Sequence, residues 1–190
     1  MHAFDYISVL FSFVFAAAVA HVLATAGDIA IAFDRVRFSW LNAGWMFAAM
    51  LAVVAWWIGV RDLRAISTWT MPYVGFFFTI ACLLYLLVRL VCPRIPGDGA
   101  IDLVSFHRTE GRKYVGAYAL LTLLTVGTNA FFAGGISTWV AQNYAIIPAA
   151  LAALAAAIFV SMRWVQYSAV VTVIAMWAWY FAAFQPAMAG

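Results

Sequence analysis

YISVLFSFVFAAAVAHVLATAGDIAIAF, residues 6–33, is apolar almost throughout, and two ionisable side chains interrupt it, His21 and Asp28. A helix of roughly 20 apolar residues crosses a bilayer, so Tyr6–Phe33 reads as a membrane span. An ionisable group near the centre of such a helix costs on the order of 2.5–3.5 kcal/mol on insertion scales. Groups retained at that cost usually have a partner or a role. Thr25 follows His21 by one turn and Asp28 follows by two, so all three project from one face. At the rise of a helix, His21 lies near the middle of the span and Asp28 ~10 Å nearer one end. Asp5, Ser8 and Ser12 point to the opposite face, so no continuous polar stripe runs along this helix.

Composition extends the reading to the whole chain. Apolar residues make up 68% of the 190 and charged residues 9%, with a mean hydropathy of +1.01. Soluble domains carry about 25% charged residues, so this chain cannot cover a water-facing surface. Six segments repeat the apolar pattern: Tyr6–Phe33, Leu41–Val60, Met71–Val91, Tyr114–Phe132, Tyr144–Met162 and Val165–Phe184. They predict an all-α, six-helix integral membrane bundle in a single membrane domain. Two three-helix halves, residues 1–91 and 112–190, are joined by a loop over residues 92–111. An odd number of helices per half would invert the two halves relative to each other, although no sequence similarity between them supports a repeat.

Charge asymmetry orients the bundle. Arg35, Arg37, Arg89, Arg94, Arg108, Arg112, Lys113 and Arg163 follow spans one, three and five, and only Arg61 and Arg64 lie on the other side. Basic residues accumulate on the cytoplasmic face, which places the 92–111 loop there and both termini on the non-cytoplasmic side. Trp40, Trp45 and Trp164 fall at inner ends. Trp56, Trp57, Trp69, Trp139, Trp177 and Trp179 fall at or near outer ends. The pattern is that of interfacial aromatic belts. The pI of 9.1 reflects the inner arginines and implies contact with anionic lipid, not nucleic acid. Residues Met1 to Tyr6 hold Asp5 and no Lys or Arg, unlike the basic start of a signal peptide. The first segment is therefore expected to be a retained helix.

The inner loop begins with Cys92-Pro93-Arg94-Ile95-Pro96-Gly97-Asp98-Gly99, a run of breakers that ends span three. Ile101–Glu110 is either a short amphipathic helix on the membrane surface or a solvated connector. Pro72 and Pro148 stand near helix starts, where a missing N–H costs little. The alanine-rich stretch Ala149–Ala157 suits close helix packing, inside the monomer or at a seam between copies.

Chemical motifs are scarce. The only lysine, Lys113, sits at a span boundary, so a retinal Schiff base inside the bundle is not expected. A single intramembrane histidine cannot supply two axial ligands to a haem within one chain. There is no His-Glu-x-x-His or Gly-x-Ser-x-Gly motif. Cys82 and Cys92 are ~15 Å apart on one helix, too far to pair. No cofactor, no metal and no catalytic residue is expected. Arg89 is expected to snorkel to the inner interface, and its direct functional role is the minor alternative. Asn129, with Thr125 one turn earlier, is the polar group best placed to join His21 from another helix, and Tyr85 and Tyr118 add hydroxyls.

Phe4-Asp5-Tyr6-Ile7-Ser8-Val9-Leu10, Ala20-His21-Val22-Leu23, Arg35-Val36-Arg37 and Trp56-Trp57 resemble a group of small uncharacterised bacterial multi-span inner-membrane proteins. The likeness covers mostly the first third of the chain. It implies a bacterial inner membrane and draws attention to Asp5 and His21.

Two functional classes are compatible with these residues. The first is a small, homo-oligomeric ion or proton channel or transporter. His21 would be its gate or proton-binding group, Asp28 a cation-attracting group at the inner mouth, and Asn129 and Thr25 polar lining. The second is a non-catalytic accessory or assembly subunit of a larger membrane complex, which the sparse polarity favours. A membrane enzyme ranks below both. The lipid bilayer is the one partner common to these readings.

Overall fold

A computed structural model of the protein describes residues 3–66, 68–95, 99–132 and 146–184. Among these residues the chain is helical, with six α-helices: α1 (Ala3–Ile31), α2 (Trp40–Gly59), α3 (Met71–Val91), α4 (Leu103–Phe132), α5 (Ile146–Phe159) and α6 (Arg163–Phe184). A 3-10 turn, Phe33–Arg35, follows α1, and another, Val60–Ala65, continues α2. Two short strands, β1 (Val36–Arg37) and β2 (Ile101–Asp102), pair in parallel, Val36 with Ile101 and Arg37 with Asp102. Four helical segments are long and apolar enough to cross a membrane: Phe4–Ile31, Trp40–Arg64, Met71–Val91 and Arg163–Ala182. The apolar α5 is shorter, and Tyr144, Gly134, Gly135, Ser137 and Trp139 lie outside the described residues.

The chain divides into two compact units, Met1–Glu110 and Gly111–Gly190. In the first unit α1, α2 and α3 each pack against the other two. The buried positions of α1 are Phe4, Ile7, Phe11, Phe15, Ala18, Val22, Thr25 and Ile29. Their spacings are all three or four, which keeps one stripe turned toward its neighbours. Ala48, Ala49, Ala52 and Ala55 of α2 are fully or almost fully buried, and side chains this small let the backbones approach. The α3 stripe is Phe77, Ile80, Ala81, Leu84, Leu87, Val88 and Val91. Phe4 packs on Trp69, with ring centroids 6.5 Å apart, and His21 meets Arg89. α1 and α3 therefore run in the same direction.

Local chemistry sets the ends. Ser39 caps α2 by accepting the Asn42 N–H at 3.3 Å. Pro72 stands in the first turn of α3, and Pro148 in the first turn of α5. Gly99 has φ of 102°, a backbone that glycine adopts without the Cβ penalty. It turns the chain into β2. Asp102 then caps α4, its Oδ1 accepting from Val104 N at 2.9 Å and Ser105 N at 3.0 Å. Leu103–Glu110 is helical, but it is neither a separate surface helix nor an irregular connector. It is the first part of α4. No proline interrupts Leu103–Phe132, so once capped the helix runs on.

In the second unit α5 packs on α6. Ala150, Leu154 and Ala157 of α5 are buried, as are Ala169, Val170, Val173, Met176 and Trp177 of α6 and Tyr114, Val115, Tyr118 and Leu121 of α4. Two tryptophans assigned to the aromatic belts have a different place. Trp45 is 1% exposed and Trp177 is 7% exposed, so both are packing residues, while Trp40, Trp57, Trp164 and Trp179 are exposed.

Candidate functional site at the paired ends of α1 and α3

His21 sits half-buried on the flank of the α1 stripe. Arg89 stands in the last turn of α3. Its Nη1 lies 3.0 Å from His21 Nε2 and 3.4 Å from Nδ1. A guanidinium has donors only, so the imidazole accepts, and a ring nitrogen that accepts carries no proton. The shorter contact favours Nε2 as the acceptor, with the proton on Nδ1. The pair thus holds a neutral histidine against a permanent cation.

α1 has 29 residues and α3 has 21, roughly 43 and 31 Å at the helical rise. Considered alone, α1 puts His21 near its middle. Measured against α3, His21 is level with the last turn. Arg89 is two residues short of the end of α3, so the ten residues of α1 beyond His21 carry it past that end by about 12 Å.

One turn after His21, Thr25 is buried and its hydroxyl hydrogen-bonds the thiol of Cys92, the residue that ends α3. Burial pushes the Cys92 thiol up to about 11, against smaller opposing effects of Thr25 and Arg89. It is protonated at neutral pH, and a buried thiol is neither a ready nucleophile nor a metal ligand. Asn42 of α2 completes the end of the unit. It is fully buried, and its Nδ2 donates to the Val91 carbonyl at 3.2 Å. That carbonyl is one of the acceptors a helix leaves unmatched at its C-terminus. Asn42 Oδ1 is buried without a hydrogen-bond partner among the described residues.

Further from the helices, Arg37 Nη1 meets Asp102 Oδ2 at 3.1 Å across the short ladder. The Ser105 N–H holds the Asp102 carboxyl below the usual carboxylate range, with Arg37 and the Val104 N–H acting in the same direction. Arg35 reaches back to the Gly99 carbonyl at 3.4 Å. The connection between α1 and α2 is tied in this way to the segment leading into α4.

Of the four residues the sequence singles out, His21 and Thr25 face the end of α3. Asp28 lies on nearly the same line of α1 but is exposed, about 10 Å further along the axis. Asn129 is exposed on α4, in the second unit. The Thr125 hydroxyl donates to Leu121 O of its own helix at 2.8 Å. Thr122 and Thr128 do the same, at 2.9 Å each. Tyr118 is buried and accepts from Trp177 Nε1.

Four residues had weak signals in the sequence. Arg89 and Cys92 are spaced by three in an apolar helix, as His21 and Thr25 are spaced by four. Asn42 is a lone amide in an apolar run, three residues after its capping serine. Gln166, in the first turn of α6, donates through Nε2 to Ala157 O at 2.7 Å and Val160 O at 2.8 Å, ending α5 as Asn42 ends α3. Among the described residues, no three His, Cys, Asp or Glu side chains gather as a metal site. Comparison of the chain with protein-family models, with curated proteins and with solved structures finds no match.

Proposed function

We propose that the chain is a six-span protein of a bacterial inner membrane that passes an ion or proton as a homo-oligomer, with both termini non-cytoplasmic and His21 as the gate. The observation that carries this reading is the contact between His21 and Arg89. A histidine resting on a backbone carbonyl would keep its partner when protonated. Here protonation removes the acceptor and sets two cations against each other across α1 and α3. The contact therefore has two states of different charge, one attractive and one repulsive between α1 and α3, which supports the reading as a gate. Asp28, exposed on the extension of α1, is placed to attract cations at the inner mouth.

The test is ion flux into liposomes containing purified protein, measured across pH. His21→Gln keeps an acceptor for Arg89 and removes the titration. Flux is expected in the wild type, with a pH dependence that the variant flattens at a stability cost of about 1–2 kcal/mol. Identical pH profiles in the two proteins would rule out His21 as the gate.

A second reading, a non-catalytic subunit of a larger membrane complex, is favoured by a different observation. Thr122, Thr125 and Thr128 bond to their own helix, and Asn42 and Gln166 are used at helix ends. Side chains occupied in this way have fewer groups free to line a pathway. Absence of any flux from well-folded, reconstituted protein would select this reading over the first.

A further inference from the structure

We infer that Arg89, steadied by His21, is a binding site for a phosphate oxyanion, and that its occupant is the headgroup of an acidic phospholipid. The guanidinium is exposed, and both contacts to His21 come from Nη1. Nε and Nη2 share the other edge of the fork, which matches two oxygens of a phosphate. Among the described residues Arg89 meets His21 and pairs with no carboxylate. Neutral His21 contributes position, not charge. It fixes one arm of the guanidinium through Nη1 and leaves the other edge unused.

The location points to a lipid. Arg89 is two residues from the end of an apolar 21-residue helix, the depth at which a spanning helix meets headgroups. At the same end, Phe33, Phe38 and Trp40 stack in sequence, with centroids 6.4 and 5.1 Å apart, and Phe33 and Trp40 are exposed. Of these, the Trp40 indole is the kind of amphipathic ring that settles at the headgroup level. Arg35, Arg37 and Arg94 are exposed nearby in the chain and add to the attraction for an anionic surface. Arg37 is committed to Asp102, which leaves the open fork of Arg89 as the built feature. The inference is independent of ion passage.

The experiment uses full-length protein purified in detergent and titrated with phosphatidylglycerol, with phosphatidylcholine or with inorganic phosphate. Retained lipid is read by native mass spectrometry and binding by the rise in melting temperature. Phosphatidylglycerol is expected to bind in preference to phosphatidylcholine. Arg89→Gln should weaken that binding about fivefold or more, the scale of one basic residue at an anionic surface. Arg89→Lys, which keeps the charge but not the fork, should fall between, and remains informative if Arg89→Gln does not fold. Arg94→Gln should change affinity by less than half as much. Unchanged phosphatidylglycerol affinity in Arg89→Gln would overturn the inference, as would equal binding of the two lipids. An equal stabilisation by inorganic phosphate alone would overturn the lipid assignment in favour of the free anion. A protein without flux that still loses phosphatidylglycerol on Arg89→Gln would remove the gate and leave this site standing.

Discussion

The two units solve one problem with the same device and then diverge. Each ends a helix by spending a buried side-chain amide on its last carbonyls. Asn42 does so for α3 in the first unit, and Gln166 does so for α5 in the second. Beside that amide the first unit places an imidazole against a guanidinium. The second places an indole N–H on a buried phenol. A neutral pair has one state over the accessible pH range, so it can only hold helices together. A histidine against an arginine has two. On the proposed function, the group that responds to protons lies in the first unit, and the neutral pair of the second only holds its own helices together.

The largest stability effect should come from the amides. Leaving a buried acceptor without a donor costs about 1–3 kcal/mol. Gln166 serves two carbonyls and Asn42 serves one. Gln166→Leu should therefore lower stability in detergent by more than Asn42→Leu, in which an already unpartnered Oδ1 is also removed. Equal losses would show that the two helix ends are not held by these bonds.

Tyr118→Phe comes next. It removes the acceptor of Trp177 Nε1 and should cost about 1–2 kcal/mol. The cost should be smaller when Trp177 is already Phe, since the same bond cannot be lost twice. If flux is observed, its pH profile should be unaffected by this substitution. A shifted profile would erase the division between a responsive and a supporting unit.

Thr25→Val tests the lower edge of the responsive site. It removes a hydroxyl that bonds the buried Cys92 while keeping its shape, and a loss near 1 kcal/mol is expected from chemical unfolding. The smallest effect belongs to Asp102. Its folded carboxyl lies below the ordinary value of 3.8. A depressed carboxyl stabilises the folded state above its unfolded value, and the contribution fades as pH falls through the folded value. The melting temperature of the wild type should exceed that of Asp102→Asn at neutral pH, and the gap should close below about pH 4. A gap that persists at lower pH would assign the effect to something other than the carboxylate.

Much of the architecture was legible because apolar run length is a strong signal. Met71–Val91 is the same segment in sequence and structure, and the bounds of α1 and α2 differ from the expected spans by three residues or fewer. The start of α4 was not legible. Its charged first turns resemble a connector, and whether such a stretch continues a helix depends on Asp102 as cap. The site was half legible. His21 is conspicuous because imidazole in an apolar run is costly. Its partner was not, because an arginine near a helix end has an ordinary explanation in snorkelling. The depth of His21 was hidden for a related reason. It depends on how far α1 slides past α3, and that register belongs to contacts between the helices, Phe4 with Trp69 among them, which no single helix records.

The protonation of His21 itself decides whether α1 and α3 share a switch. Full-length protein labelled with nitrogen-15 in histidine, in liposomes, reports the state of each imidazole by solid-state NMR, and His21→Gln identifies the relevant signal. At neutral pH the signal should be that of a neutral ring protonated on Nδ1, and Arg89→Gln should perturb it. It should convert to imidazolium over the same pH interval in which flux changes. A ring protonated on Nε2 at neutral pH, or a flux that changes while His21 stays in one state, would contradict the account.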